Sequence, residues 1–306
     1  MTILKNKIDF AVVVSVSNAN PNGDPLNGNM PRTTYDGYGE ISDVCIKRKI
    51  RNRLMDMGEP IFVQSDDNNN DGYDSLRERA KANSALMAAE KAKDNEEFAK
   101  IACASWIDVR SFGQVFAFKG EKDKGDKEKD EKDKGEKDDK KGGLSVGVRG
   151  PVSIHPAFSK DTIDVTSIQI TKSVNNESND KAKKSSDTMG MKHRVDFGLY
   201  LIKGSINVQL AEKTGFTEED SEKIKEALRT IFINDCSSAR PDGSMAVHKL
   251  YWWMHNNKIG QYSSAKVHNC VHIEKKAECE RPNSIYDYTI SVQNLDGLKL
   301  DEYDGL

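Results

Sequence analysis

The chain has 306 residues, 36% of them apolar and 31% charged, with a formal net charge of −3 at pH 7. This composition supports a core in part of the chain. It excludes a bulk-basic protein that holds nucleic acid through a global field, so any such site must be a local patch. The run at 121–143 hides no basic remainder: it carries nine Lys and ten Asp plus Glu, and without it 37 basic residues face 39 acidic ones. Cys45, Cys103, Cys236, Cys270 and Cys279 are odd in number and form no C-x-x-C pair, the usage of a reduced, intracellular chain. No stretch reaches the length of a membrane span and MTILKNKIDFAVVV lacks a small-residue cleavage site, so the expected location is the cytoplasm.

IDFAVVVSVS (8–17) is short, β-branched and apolar, and predicts a buried strand. SNANPNGDPLNGNMPR (17–32) holds five Asn, three Pro and two Gly, the composition of a fixed, non-repetitive loop. Ser42 caps an expected helix from Asp43 to about Met57, ended by Gly58 and Pro60. Its apolar positions Val44, Ile46, Ile50, Leu54 and Met57 recur at roughly helical spacing. Residues 73–104 read as helical, and SWIDVRSFGQVFAF (105–118) as strand-like. The 121–143 run has no apolar residue and is expected to be a disordered surface loop, perched on a long hairpin between 112–118 and 144–154. Residues 162–174 predict another strand, 175–187 are polar, and 193–210 give the longest strand signal. Thr217 and Asp220 suit a capping pattern before a helix with Ile224, Leu228, Ile231 and Phe232 on one face; 245–255 and 286–292 close as strands. The order points to an α+β, ferredoxin-like (RRM-like) core with large insertions, in one domain over 1–306.

Five groups of residues carry candidate chemistry. In ISDVCIKRKIRNRL, Lys47, Arg48 and Arg51 follow a capped helix start, where amides and cations together favour phosphate; an ordinary solvated helix face is the alternative. From Asp67, the residues Asp67, Asn69, Asp71, Gly72 and Glu78 match the spacing of a calcium loop, against a polar turn in which Asp74 or Ser75 caps the next helix. His268, Cys270 and His272 alternate and would share one face of a strand, with no fourth zinc ligand near in sequence. Residues 171–192 make a polar tongue with Lys172, Lys181, Lys183, Lys184 and Lys192, and with Met189 and Met191 at its return, a device for clasping a nucleic-acid backbone or simply a loop. Asp24, Asp36 and Asp43 surround the opening loop, where carboxylates could serve acid–base chemistry or cap turns.

Taken in order, SNANPNGDPLNGNMPRT, ISDVCIKRKIR, DVRSFG (108–113), VRGPV (148–152), QITKSV, TMGMKHRVDFGLY (188–200), SSARPDG and LYWWMHNNKIG (250–260) resemble the backbone (RAMP superfamily) subunit of Cascade, the CRISPR-guided surveillance complex, most closely its type I-C (Dvulg) branch. The 121–143 run has no counterpart in that pattern. The resemblance implies an RRM-like palm, a helical finger region inserted at 58–104, a disordered charged insert at 119–143 and a β-hairpin thumb at 171–191. It implies a subunit that polymerises head to tail with copies of itself along CRISPR guide RNA, beside other Cascade subunits. The guide stays open for target DNA, and a recruited helicase-nuclease does the cutting. The protein reads backbone shape while base pairing reads sequence.

The same resemblance implies an RNA-binding set. Ser42, Lys47, Arg48 and Arg51 face guide phosphates, Asn20 and Arg32 come from the opening loop, and Arg149 and Arg110 from the palm surface. Lys172 and Lys192 belong to the thumb, whose base-displacing wedge is assigned to Val174 and Met189. No catalytic residue, cofactor or metal is expected. Two alternatives stay open: a ribonuclease cutting target RNA with Asp24 or Asp36, and a calcium-binding interaction protein built on 67–78.

Overall fold

The computed structural model describes residues 2–118, 144–171 and 189–306. Strand β1 (Ile8–Ala19) leads through the short strands β2 (Gly23–Asp24), β3 (Met30–Pro31) and β4 (Tyr38–Ile41) to helix α1 (Asp43–Asp56). Helices α2 (Leu76–Lys81), α3 (Ser84–Ala92), α4 (Asn95–Ser105) and α5 (Ile107–Phe112) follow, then β5 (Gly113–Phe118) and β6 (Leu144–Arg149). Next come β7 (Val152–Ile154), β8 (Ala157–Thr162), β9 (Val165–Thr171) and the 18-residue β10 (Met189–Ile206). The rest is α6 (Val208–Thr214), α7 (Glu218–Arg229), β11 (Met245–Met254), α8 (Ser264–His268), β12 (Val271–Lys275), β13 (Tyr288–Val292) and β14 (Lys299–Asp304).

The main sheet runs β14-β11-β1-β10-β8-β4, with every ladder antiparallel. Within it β1, α1, β8, β10, α7 and β11 make a βαββαβ unit of sheet order β11-β1-β10-β8, the ferredoxin-like arrangement the sequence predicts. The alternation along β1 explains its unbroken apolar run. Phe10, Val12, Val14 and Val16 pack with Ile46, Ile50 and Leu54 of α1 and Ile224 and Leu228 of α7. Ala11 and Val13 go to the other face, under Tyr251, Trp253, Val267, Ile273 and Tyr288. Both faces of this strand are covered, and each fully buried Val or Phe contributes about 1.5–3 kcal/mol.

Local chemistry sets the helix starts. Ser42 Oγ accepts the Cys45 N–H at 3.3 Å, opening α1 where the sequence places it. Thr217 and Asp220 form a reciprocal capping box at the head of α7, with N–H contacts of 3.1 and 2.9 Å. Helices α2 to α5 and the β5–β6 hairpin surround a core of their own, in which Phe62, Phe98, Trp106 and Phe116 pack ring against ring.

Three expectations are corrected. Residues 107–112 are a helix, not strand: Ile107 and Val109 point into two different cores, and packing overrides their β propensity. The long strand ends at Ile206, because Asn207 caps α6 by accepting the Leu210 N–H at 2.9 Å and Gly215 closes it in the left-handed region. His268 ends α8 while His272 lies on β12, so the two do not share a strand face. Residues 119–143 lie outside the described residues.

Strand β10 has two halves. From Val195 onward it lies beside β1, and on its other edge it takes up β8 and then β7. From Met189 to Val195 its other partner is β9, and this half makes a two-stranded ribbon.

Candidate nucleic-acid interface

One end of the sheet gathers three segments far apart in sequence: the opening loop, the start of α1 and the loop between α7 and β11. Asn22 holds the first two together, its Oδ1 accepting from both Ser42 N–H (2.9 Å) and Ser42 Oγ–H (2.8 Å). Asn20 holds the loop from inside. Its N–H donates to Ala239 O at 2.9 Å, its Nδ2 to Asn29 O at 2.7 Å, and it is only 3% exposed. Its Oδ1 is enclosed too and has no hydrogen-bond partner among the described residues, so Asn20, expected at the RNA, shapes the loop from inside. Asp24 Oδ1 accepts from Leu26 N–H (3.2 Å) and from Arg32 Nη2 (3.4 Å), leaving Arg32 half-exposed at the rim.

Val44, Lys47, Arg48 and Arg51 fall at i, i+3, i+4 and i+7, one stripe of α1 flanking the buried face of Ile46, Ile50 and Leu54. Their charges are compensated unequally. Lys47 Nζ meets Asp43 at 3.0 Å across one helical turn. Arg51 Nε meets Asp108 at 3.0 Å, and that carboxylate, fully buried, also accepts the N–H groups of Phe62 (2.8 Å) and Val63 (3.0 Å). Among the described residues the Arg48 hydrogen bond goes to a neutral partner, Val63 O at 2.6 Å. Burial and the Arg51 charge push the Arg48 pKa down from its ordinary value, against the opposing fields of Asp108 and Asp67. An anion arriving at Arg48 relieves both penalties.

Arg110 is elsewhere. Its Nε and Nη2 make a bidentate pair with Asp220 at 2.9 and 2.7 Å, tying α5 to α7. Burial alone would raise the Asp220 pKa; the Arg110 pair and the Thr217 N–H reverse that and lower it. The Arg110 guanidinium, expected at guide phosphates, is engaged here as an internal clamp by Asp220. Arg149 ends β6 opposite Gly113, exposed, with no side-chain hydrogen bond among the described residues.

On the β9–β10 ribbon, Met189 and Met191 line one face and Ile168, Ile170 and Lys192 the other. Met189 is 63% and Ile170 50% exposed, so each face presents apolar surface. Lys172 and Val174 lie outside the described residues.

The other candidate groups have internal partners. Asp71 is gripped by Arg79, whose Nη2 lies 2.7 Å from Oδ1, and Ser75 caps α2 by accepting the Glu78 N–H at 3.2 Å; the 67–78 segment is a polar turn and cap. His268 is buried, with Nε2 donating to Gly204 O at 2.9 Å. Among the described residues no group of three or more His, Cys, Asp or Glu is placed to hold a metal ion, and no helix is long and apolar enough to cross a membrane.

Sequence reasoning missed Asn22, Lys49 and Arg240. Lys49 is buried against Asp235 and Arg240 Nε approaches the same carboxylate at 3.3 Å. Asn22 stood within the Asn-rich stretch, and Arg240 within SSARPDG; neither has a local signal that separates it from its neighbours.

The fold and this face define a ferredoxin-like α+β protein with a basic helix stripe at one end of its sheet. The sequence profile of CRISPR-associated protein Cas7 matches residues 6–293, and the chain belongs to that family. A CRISPR-associated protein Cas7 of Haloferax volcanii is 27% identical over 236 residues, covering 73% of this chain and 63% of that protein, so the chain spans less than two thirds of this relative's length. A chain of a solved CRISPR RNA-guided surveillance complex, pre-nicking, is 15% identical, with TM-score 0.47 over 86% of this chain and 84% of the other. A second surveillance-complex chain, also 15% identical, gives TM-score 0.41 over 86% and 74%. With scores this low, the assignment rests on the family match.

Proposed function

We propose that this chain is a guide-RNA-binding backbone subunit of a CRISPR surveillance complex of the type I-C branch. Copies polymerise head to tail along the guide and present it to target DNA, with other Cascade subunits and a recruited helicase-nuclease as partners. The observation that carries this reading is Arg48. It is a partly buried guanidinium hydrogen-bonded to a carbonyl instead of a carboxylate, on the same helix stripe as Lys47, and the opening loop that carries Arg32 meets the start of that helix at Ser42. Membership of the Cas7 family supports the same assignment. Arg149 and Lys192 extend the contact, and Met189 on the ribbon displaces a base. The role is holding, not cutting: the Asp24 carboxylate is engaged by Leu26 N–H and Arg32.

The test is a salt titration of binding between purified chain and labelled single-stranded guide RNA. Each phosphate contact contributes about 0.7 to the slope of log affinity against log salt on single strands. Lys47→Glu/Arg48→Glu lowers that slope by about 1.4, the loss of two such contacts, in a chain that still folds with a modestly lowered thermal midpoint. A wild-type slope in this variant overturns the reading. Incubating the assembled complex with complementary RNA and a divalent cation leaves that RNA intact; cuts at regular spacing revive the ribonuclease alternative through Asp24 or Asp36.

A further inference from the structure

Three cations, Arg32, Lys47 and Arg48, border the start of α1, and the loop at 237–243 brings a fourth. This loop is fixed, not free. Ser237 and Arg240 exchange backbone hydrogen bonds of 2.8 and 3.0 Å, Ala239 O accepts the Asn20 N–H at 2.9 Å, and Ser17 N–H donates to Ser244 O at 2.8 Å. It is therefore laced to the opening loop and continues the same surface.

Asp235 stands at its base and serves two cations. The Lys49 ammonium, 5% exposed, pairs with Oδ2, and Arg240 Nε approaches the same oxygen at 3.3 Å. One carboxylate against two cations leaves one positive charge uncompensated. Lys49 is enclosed, so the available charge is that of Arg240, 28% exposed. Only Nε is engaged; among the described residues the two terminal nitrogens of Arg240 have no hydrogen-bond partner. A guanidinium held by Nε, with its outer edge free, is pre-oriented for a bidentate anion.

The field of Arg240 reaches both neighbouring groups. It acts with Lys49 and Arg32 on the Cys45 thiol of α1, whose pKa burial raises and those charges oppose. It acts with Arg48 on Asp67 of the insertion.

We infer that Arg240 is a further phosphodiester contact for single-stranded RNA, with Asp235 its positioning residue. The inference rests on the function proposed above. The assignment of Asp235 follows from its geometry: it anchors the loop arginine to a lysine buried in α1, so the fork keeps a fixed place relative to the helix stripe.

The test uses the full chain, a fluorescein-labelled single-stranded guide RNA and anisotropy across a potassium chloride series. Arg240→Gln lowers the salt slope by about 0.7 and weakens binding about tenfold, without moving the thermal midpoint. Arg240→Lys keeps the slope. Asp235→Asn adds net positive charge yet weakens binding, because the fork loses its anchor; tighter binding in that variant overturns the positioning role. A wild-type slope for Arg240→Gln, beside a reduced slope for Lys47→Glu/Arg48→Glu, overturns this inference and leaves the proposed function standing. Wild-type slopes in both, or no binding by the wild-type chain at low salt, overturn the proposed function itself.

Discussion

Two regions meet along α1 and use the same residue types oppositely. Arg51 of α1 and Arg110 of α5 each meet a buried carboxylate, Asp108 and Asp220. Arg48, on the same helix as Arg51, meets the Val63 carbonyl of the insertion, and Arg240 of the 237–243 loop shares one carboxylate with Lys49. A motif rich in Arg and Asp therefore says little until its partners are known. Burial with a carboxylate makes arginine a rivet; burial without one leaves it wanting an anion.

The sharpest way to break this comparison is Asp108→Ala. It leaves Arg51 unpaired and removes the acceptor for the Phe62 and Val63 N–H groups, and costs about 3–5 kcal/mol, read as a fall in the urea midpoint. The neighbouring arginines give a smaller contrast. Arg51→Met costs about 1.5–3 kcal/mol by stripping a charged partner from Asp108, whereas Arg48→Met, which removes a bond to a carbonyl, costs about 1 kcal/mol. Equal losses in the two variants erase the distinction. Ser42→Ala costs about 1 kcal/mol, since the cap and its bond to Asn22 go together; the midpoint falls modestly and the opening loop exchanges amide hydrogens faster.

The smallest effect is on pH. Burial lowers the pKa of His248 and of His268 below 6.5, the latter despite the Gly204 carbonyl. Protonation then favours the unfolded chain, so their contribution is complete above 6.5 and is lost as pH falls through the lowered values. The thermal midpoint drops between pH 7 and pH 5.5. Guanidinium groups stay charged throughout, so RNA binding by the folded chain keeps its salt slope over that range. A midpoint that does not move locates these histidines outside the stabilising framework.

What was legible in the sequence was local. The Ser42 cap, the Thr217–Asp220 box, the apolar spacing of α1 and α7 and the unbroken run of β1 depend on neighbours within a few residues. Helix α5 was not legible, because its six residues are held by two cores built from distant segments. Helix α6 was partly legible: Asn207 and Gly215 are ordinary boundary signals, hidden because Val208 and Leu210 continue the strand-like alternation that precedes them. The site divided in the same way. The Lys47–Arg48–Arg51 stripe follows from helical spacing. The fate of each arginine depends on pairs such as Arg51–Asp108 and Arg110–Asp220, 57 and 110 residues apart, which no local pattern encodes.

Strand β10 has a mechanical consequence. It runs without a turn from Met189, 63% exposed, through the fully buried Val195 to Ile206. The ribbon is thus a cantilever rooted in the sheet, with no hinge along the strand to absorb a displacement. Tension applied at its outer end pulls along the β1–β10 ladder and loads its hydrogen bonds in shear, all together, instead of peeling them one by one. An arm built this way transmits force into the core and yields only when the ladder yields.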